Sequence, residues 1–175
     1  MSDTSRRGDF SVIGQGTMFD GVAYWATLVG VYLMVGGLMF YSGWEKLVDS
    51  DGNAPQGIKE QFSGTFIDTF PGTDFVWIVL GVLEFGVFVL LLASLARLEF
   101  LPHRDKSFLQ VGLAFALLTF ACLAFGQTVT KQYAGTAQLY TYFGSTVVIL
   151  ILVSLMPPNR SDRWLGGKEL PPEGS

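Results

Sequence analysis

The segment FVWIVLGVLEFGVFVLLLASLA, residues 75–96, is an apolar run that contains one carboxylic acid, Glu84. A run of this length is enough for a helix of about 20 residues to cross the hydrocarbon core of a bilayer. Ionisable groups inside membrane segments are rare, and they usually face the interior of a helix bundle or a wet cavity. The segment therefore predicts a membrane helix with Glu84 as its candidate functional residue.

Three other apolar runs, at residues 21–43, 108–130 and 139–156, are also long enough to span a bilayer. The last run is followed by Pro157-Pro158, and proline does not continue a helix. The chain has 175 residues, of which 50% are hydrophobic, and a mean hydropathy of +0.42. This pattern predicts an all-α integral membrane protein, with one bundle of four transmembrane helices over residues 21–156.

The positive charges predict the orientation of this bundle. One side would carry eight of the 11 basic residues: Arg6, Arg7, Arg97, Arg104, Lys106, Arg160, Arg163 and Lys168. The other side would carry Lys46, Lys59 and Lys131. By the positive-inside rule, the polar N-terminal segment 1–20, the middle loop and the tail 157–175 are cytoplasmic. We expect a multi-pass protein of a bacterial plasma membrane whose two termini are both cytoplasmic.

The long outer loop, residues 44–74, contains apolar residues at every fourth position: Ile58, Phe62, Phe66 and Phe70. Asn53 can cap a helix, Pro55 suits a first helical turn, and Pro71-Gly72 would end the segment. The spacing predicts a short amphipathic helix that lies on the outer membrane surface.

Two residue counts restrict the redox chemistry that this chain can support. Cys122 is its one cysteine and His103 its one histidine, so a disulfide within the chain, a pair of haem-ligating histidines or a zinc site cannot be assembled. We therefore expect no metal site and no cofactor bound by this chain alone, although a quinone remains open. Haem, flavin or copper would belong to partner chains. No nucleic-acid partner is expected.

The surroundings of Glu84 are predicted from its depth, since it lies nine residues from Phe75, about 14 Å along a helix. The residues expected at the same level are Gly36, Gly37, Thr119 and Thr146, with Cys122 and Ser145 nearby. Lys46 is expected at the outer boundary and Arg97 at the inner one, so no cation is predicted close to Glu84. The acid would then be protonated and donate a hydrogen bond that joins helices, or else form a polar or quinone site.

Trp44 and Lys46 follow the first apolar run. Tryptophan is enriched at the membrane interface, and a lysine near the end of a span usually extends its ammonium group toward water. We therefore predict that both residues act as interface anchors.

Two short motifs resemble those of the DoxX-like family of small four-helix membrane proteins. They are GWEKL at residues 43–47 and GVLEFG at residues 81–86. In that family the first helix typically ends in a Gly-x-x-Lys-Leu pattern and the second carries Gly-x-x-Glu. The resemblance covers about residues 25 to 130 and marks Gly43, Lys46, Leu47, Gly81 and Glu84.

The resemblance implies a small membrane subunit of a quinone-linked oxidoreductase, or a partner of thiol- and superoxide-handling enzymes; the single cysteine argues against a thiol-redox role of the chain itself. We therefore expect a non-catalytic accessory subunit that stabilises or docks the partner subunits of a respiratory or oxidoreductase complex. Two alternatives remain open: a small subunit that itself binds quinone with Glu84 at the site, and a small proton-coupled transporter.

Overall fold

The computed structural model describes residues 18–102 and 104–156. The described helices are α1 (Met18–Val31), α2 (Gly37–Trp44), α3 (Gln56–Phe62), α4 (Phe66–Thr69), α5 (Thr73–Ala96), α6 (Ser107–Val129) and α7 (Tyr133–Leu155). Wider π-helical turns at Tyr32–Gly36 and Glu45–Asp49 continue the first helix without a break. Within the described part of the chain, all regular secondary structure is helical.

Four of these helical stretches are long and apolar enough to cross a membrane: Gly21–Asp49, Thr73–Ala96, Ser107–Val129 and Tyr133–Leu155. The predicted fold class is thus confirmed, and the protein is a multi-pass, all-α membrane protein. Two helices extend beyond their predicted spans. The first span continues six residues beyond 43, and the fourth begins six residues before 139. The predictions for His103, residues 1–17 and the tail 157–175 lie outside the described residues.

The four spans pack in chain order, each chiefly against its neighbour in sequence. Their common core consists of apolar side chains from every span: Leu28, Val31, Val35, Met39, Val87, Leu91, Leu109, Leu113, Ala116, Phe120 and Val153. One end of the bundle carries residues 50–72 and is called the long-loop end below. The opposite end carries residues 97–106. This packing places the π-helical turn that follows Trp44 directly against α5.

At the long-loop end, the predicted amphipathic helix is present as α3, and α4 follows it as a single short turn. Asp74, in the first turn of α5, holds this segment in place. Its carboxylate accepts from the Ala54 backbone N–H at 2.8 Å and lies 2.9 Å from Lys59 Nζ. Ile58, Phe62 and Phe66 face a cavity beside α5 and α6, while Phe70 is exposed. The predicted helix is thus interrupted after Phe62, and in α4 the buried residue is Ile67, whereas Phe66 is 62% exposed.

Candidate functional site

Glu84 forms an ion pair with Lys46 between the first span and α5. Lys46 Nζ lies 2.9 Å from Glu84 Oε2 and donates to Oε1 at 3.2 Å. The side chains are 7% and 2% exposed, so neither charge has appreciable access to solvent. A buried charge is tolerated only when it is paired and hydrogen-bonded, which makes each residue the main reason that the other can be buried.

Lys46 uses all three of its ammonium hydrogens within the protein. Besides the bond to Glu84, Nζ donates to Ser42 Oγ at 2.7 Å and to the Ser42 carbonyl at 3.3 Å. It also lies 4.8 Å from the centre of the Trp77 ring, at cation–π distance. Trp77 is fixed in turn, because its indole N–H donates to Ser50 Oγ at 3.0 Å. The ammonium group is therefore held from three sides.

Two glycines allow the helices to come close enough for this pair. A Cβ at Gly43 would lie 2.8 Å from the backbone nitrogen of Phe85. A Cβ at Gly81 would lie 2.9 Å from Lys46 Cβ and 3.0 Å from the Leu47 side chain. Both distances are shorter than normal carbon contacts, so only glycine fits. Gly43, Lys46, Leu47, Gly81 and Glu84 thus meet at one contact, which we call the clamp.

The second carboxylate oxygen of Glu84 has an incomplete set of partners. Oε2 is in close electrostatic contact with Lys46, but no described group donates a hydrogen bond of good geometry to it. The clamp is therefore held together mainly by charge attraction and by helix contact at the glycines. Chemically, it is an ion pair closed to solvent in which Glu84 Oε2 has charge contact but no hydrogen-bond donor.

This geometry corrects two predictions about charge. Lys46 was predicted to anchor at the interface and no cation was predicted near Glu84; the structure instead turns the Lys46 ammonium inward, onto the carboxylate. The reason is that the helix continues through Asp49, so that Lys46 lies level with Gly81 rather than at the helix end. A neutral, donating Glu84 is replaced by a carboxylate that accepts from Lys46. Trp44 remains 41% exposed.

The residues predicted at the level of Glu84 do not join it. Gly36 faces Leu91, seven residues further along α5, and Gly37 has open space where a Cβ would lie. The hydroxyl of Thr119 donates to the Phe115 carbonyl, and that of Thr146 to the Tyr142 carbonyl. Both hydroxyls are thus satisfied within their own helices. Gly36 and Gly37 lie away from Glu84 because the first span continues through Asp49, so that a later part of it lies level with Glu84.

A cavity of about 530 Å³ lies beside the clamp, between α3, α4, α5 and α6. Trp77 belongs to both features, since its ring lies against the Lys46 ammonium group and the residue is part of the cavity lining. Leu83 lines the cavity, but Glu84 faces away from it toward Lys46. A direct contact between Glu84 and a molecule in this cavity is therefore not supported by the geometry.

A second buried acid, Glu99, lies at the opposite end of the bundle and was missed by the sequence analysis. Its carboxylate accepts from the backbone N–H groups of Phe108 and Leu109, at 3.1 and 3.0 Å, and so caps the start of α6. Ser94 Oγ donates to this carboxylate at 2.9 Å. Because the Ser94 hydroxyl hydrogen is used in this bond, the Tyr32 hydroxyl is the donor in its 2.8 Å bond with Ser94. The only sequence signal was an acid in a short loop before a span.

Lys106 is buried next to this cap. Its ammonium group donates to the Arg104 carbonyl at 3.3 Å and lies 5.6 Å from the centre of the Tyr24 ring. Burial lowers the pKa of Lys106, and the nearby carboxylates of Glu99 and Asp105 partly oppose this. The middle loop is therefore packed into the bundle rather than fully exposed.

We expect Glu99→Gln to lower the free energy of unfolding by about 1–2 kcal/mol. Glutamine keeps one acceptor but turns an N–H₂ group toward donors, so that one backbone N–H of α6 loses its partner. Thermal unfolding in detergent, followed by circular dichroism, measures the change. The matched control is Glu60→Gln on the exposed face of α3, which should change stability by less than about 0.5 kcal/mol. Equal stabilities for the two variants would contradict the capping role.

Comparison with protein-family models, curated proteins and solved structures finds no match to this chain. The resemblance to the DoxX-like family therefore stays a prediction. Among residues 18–102 and 104–156, no group of three or more His, Cys, Asp or Glu side chains is placed to hold a metal ion.

Proposed function

We propose that this chain is a non-catalytic accessory subunit of a quinone-linked oxidoreductase complex in a bacterial plasma membrane. The observation that carries the proposal is the clamp. The two DoxX-like motifs mark five residues, and these five meet at a single helix contact. Two of them, Lys46 and Glu84, are 38 positions apart in the sequence. Such a coincidence supports the family resemblance, and with it the accessory role.

The chemistry of the clamp supports a scaffold rather than a reactive site. Lys46 donates its three ammonium hydrogens to Ser42 and Glu84, and Glu84 faces Lys46 instead of the cavity. Groups engaged in this way set the distance and angle between two helices. A bundle fixed by a buried ion pair presents a defined surface to partner subunits.

The orientation of the subunit follows from its positive charges. With both termini and the loop that contains Arg97 and Arg104 in the cytoplasm, the long-loop end faces outward. The cavity, α3 and α4 would then lie at the outer surface. Partner subunits that carry flavin, haem or copper would supply the redox centres.

Purification from the native membrane in a mild detergent tests the proposal. We expect a tagged chain to recover a larger complex whose other subunits carry flavin, haem or copper, identified by mass spectrometry and absorption spectra. The variant Lys46→Met, which breaks the clamp, should recover less of the complex. Lys59→Met, which removes only the partly exposed ion pair with Asp74, should recover as much as the native chain. Isolation of a stable, lone chain that catalyses quinone turnover would contradict the accessory role.

A further inference from the structure

The cavity beside the clamp has the shape of a slot that begins at the long-loop end. Thr73 and Gln127 lie where α5 begins and α6 ends, and Leu83 and Cys122 lie deeper. From Thr73 to Leu83 the slot follows α5 for ten residues, about 15 Å by helix rise. Its volume, about 530 Å³, is within the range of small-molecule sites.

The slot also has a lateral opening, on the side of the bundle that would face the lipid bilayer. Val79 and Phe125 in its lining are 39% and 58% exposed, and Cys122 is exposed as well. A lipophilic molecule could thus reach the slot from the membrane without passing through water. The lining is almost wholly apolar, which favours a ligand with the same property.

Aromatic rings form much of the wall. The aromatic residues in the lining of the slot are Phe62, Phe66, Phe75, Trp77 and Phe125. The rings of Phe66 and Phe125 lie 6.4 Å apart across the gap between α4 and α6. Flat aromatic surfaces pack well against a planar ring, by offset stacking or edge-to-face contact. At the outer end the lining includes two polar residues, Thr73 and Gln127. The Thr73 hydroxyl donates to Asp68 at 3.5 Å, and the Gln127 amide oxygen lies against Gly135 of α7.

We infer that this slot binds a ring-bearing lipid, a molecule with a planar polar ring and an apolar tail, the class to which isoprenoid quinones belong. The ring lies among the aromatic residues near the long-loop end, where Thr73 and Gln127 belong to the lining, and the tail extends past Leu83 and Cys122. Trp77 positions the ring, because it is fixed by Ser50 and by the Lys46 ammonium. The inference deepens the proposed function and rests on it for the choice of a quinone as probe.

The helices α3 and α4 form the outer wall of the slot. Phe62 packs over Gly126, where a Cβ would lie 3.5 Å from Phe62 Cζ. The ion pair that fastens this wall, Lys59 with Asp74, is 39% and 47% exposed, and exposed ion pairs contribute at most about 1 kcal/mol. The wall is therefore easier to displace than the clamp, and it can yield to an incoming ring.

Alkylation of Cys122 in lipid nanodiscs measures occupancy of the slot, because Cys122 is the one thiol in the chain. The probe ligand is a ubiquinone analogue with a decyl tail and a fully substituted ring, which does not add thiols. At ten times its dissociation constant, we expect the rate of reaction with N-ethylmaleimide to fall about tenfold. A diazirine-bearing analogue should label residues of the slot, identified by mass spectrometry after proteolysis.

Two variants of α5 make the test specific. Val79→Phe fills the slot and should abolish both protection and labelling, whereas Val82→Phe, on the same helix but outside the slot, should retain both. Equal protection by a decyl-chain phospholipid would overturn the choice of a ring-bearing ligand. Absence of protection and of slot labelling by the quinone would overturn the site itself. Quinone binding is measured on the isolated chain, whereas the proposed accessory role is tested by recovery of partner subunits. Either experiment can therefore fail while the other succeeds.

Discussion

Lys46→Met is expected to lower the free energy of unfolding by about 3–5 kcal/mol, the usual cost of removing one member of a buried ion pair. Methionine has a similar length and fills the same space, so packing is largely kept. The Glu84 carboxyl, 1% exposed, then has no cation beside it. A buried carboxylate without a compensating charge is costly, and this cost is the reason for the loss. Denaturant titration in mixed micelles measures the loss.

The matched control is Lys59→Met, which removes the same charge and adds the same side chain. Its partner, Asp74, is 47% exposed and stays hydrated when Lys59 is removed. We expect the control to cost less than about 1 kcal/mol. If both variants lost a similar amount of unfolding free energy, burial of the clamp would not be what determines its contribution to stability.

Gly43→Leu is expected to cost about 3 kcal/mol, at the upper end of the range for overpacked sites. The new Cβ would lie 2.8 Å from the Phe85 nitrogen and 3.1 Å from its Cα. These are backbone atoms, which cannot rotate away as a flexible side chain can. The first span and α5 must therefore separate, and that separation also stretches the bond from Lys46 to Glu84. Unfolding in mixed micelles measures the cost.

Gly37→Leu is the control for this prediction. Gly37 lies in the same span, two helical turns earlier, and nothing lies within 4 Å of the position of its Cβ. Glycine is a poor helix former, so leucine at this site should be neutral or slightly stabilising. A loss at Gly37 as large as that at Gly43 would show that the close approach at Phe85 is not the cause.

The four spans could be predicted from sequence because a helix in lipid needs a long apolar run. Such a run is recognised from the hydropathy of consecutive residues, without knowledge of which residues lie opposite. The position of Lys46 could not be predicted in the same way. In isolation, a Trp-Glu-Lys sequence is typical of a helix that leaves the membrane. It continues as a helix here because Glu84, 38 residues later, compensates the charge of Lys46. Burial of a charge is a property of the pair.

The two motifs did identify the correct residues of the clamp, although for a reason that the sequence did not reveal. Gly43 and Gly81 are small because each meets the partner helix, and Glu84 is acidic because Lys46 faces it. Gly36 and Gly37 were a worse choice, since glycine pairs alone do not indicate which residue lies opposite. The Glu99 cap was missed because its hydrogen bonds are to the backbone of α6, which has no sequence signature.

The cavity illustrates a further limit. The apolar stripe of Ile58, Phe62, Phe66 and Phe70 predicted an amphipathic helix on the outer membrane surface. A stripe does not show whether its apolar face packs tightly or leaves a cavity. That depends on how far α3 and α4 stand from α5 and α6. The distance is set by contacts such as Ala54 with Asp74, which are distant in sequence.

A double-mutant cycle on the clamp, with Lys46→Met, Glu84→Met and the combined variant, tests the assignment of a buried ion pair most directly. Since replacing both members of a buried pair with apolar side chains is often neutral or stabilising, the combined variant should regain most of the stability that each single variant loses. Because each single variant is expected to lose about 3–5 kcal/mol and the combined variant little, the predicted coupling free energy, from unfolding in mixed micelles, is at least about 5 kcal/mol. Additive losses, with a coupling below about 0.5 kcal/mol, would contradict a direct pair between Lys46 and Glu84.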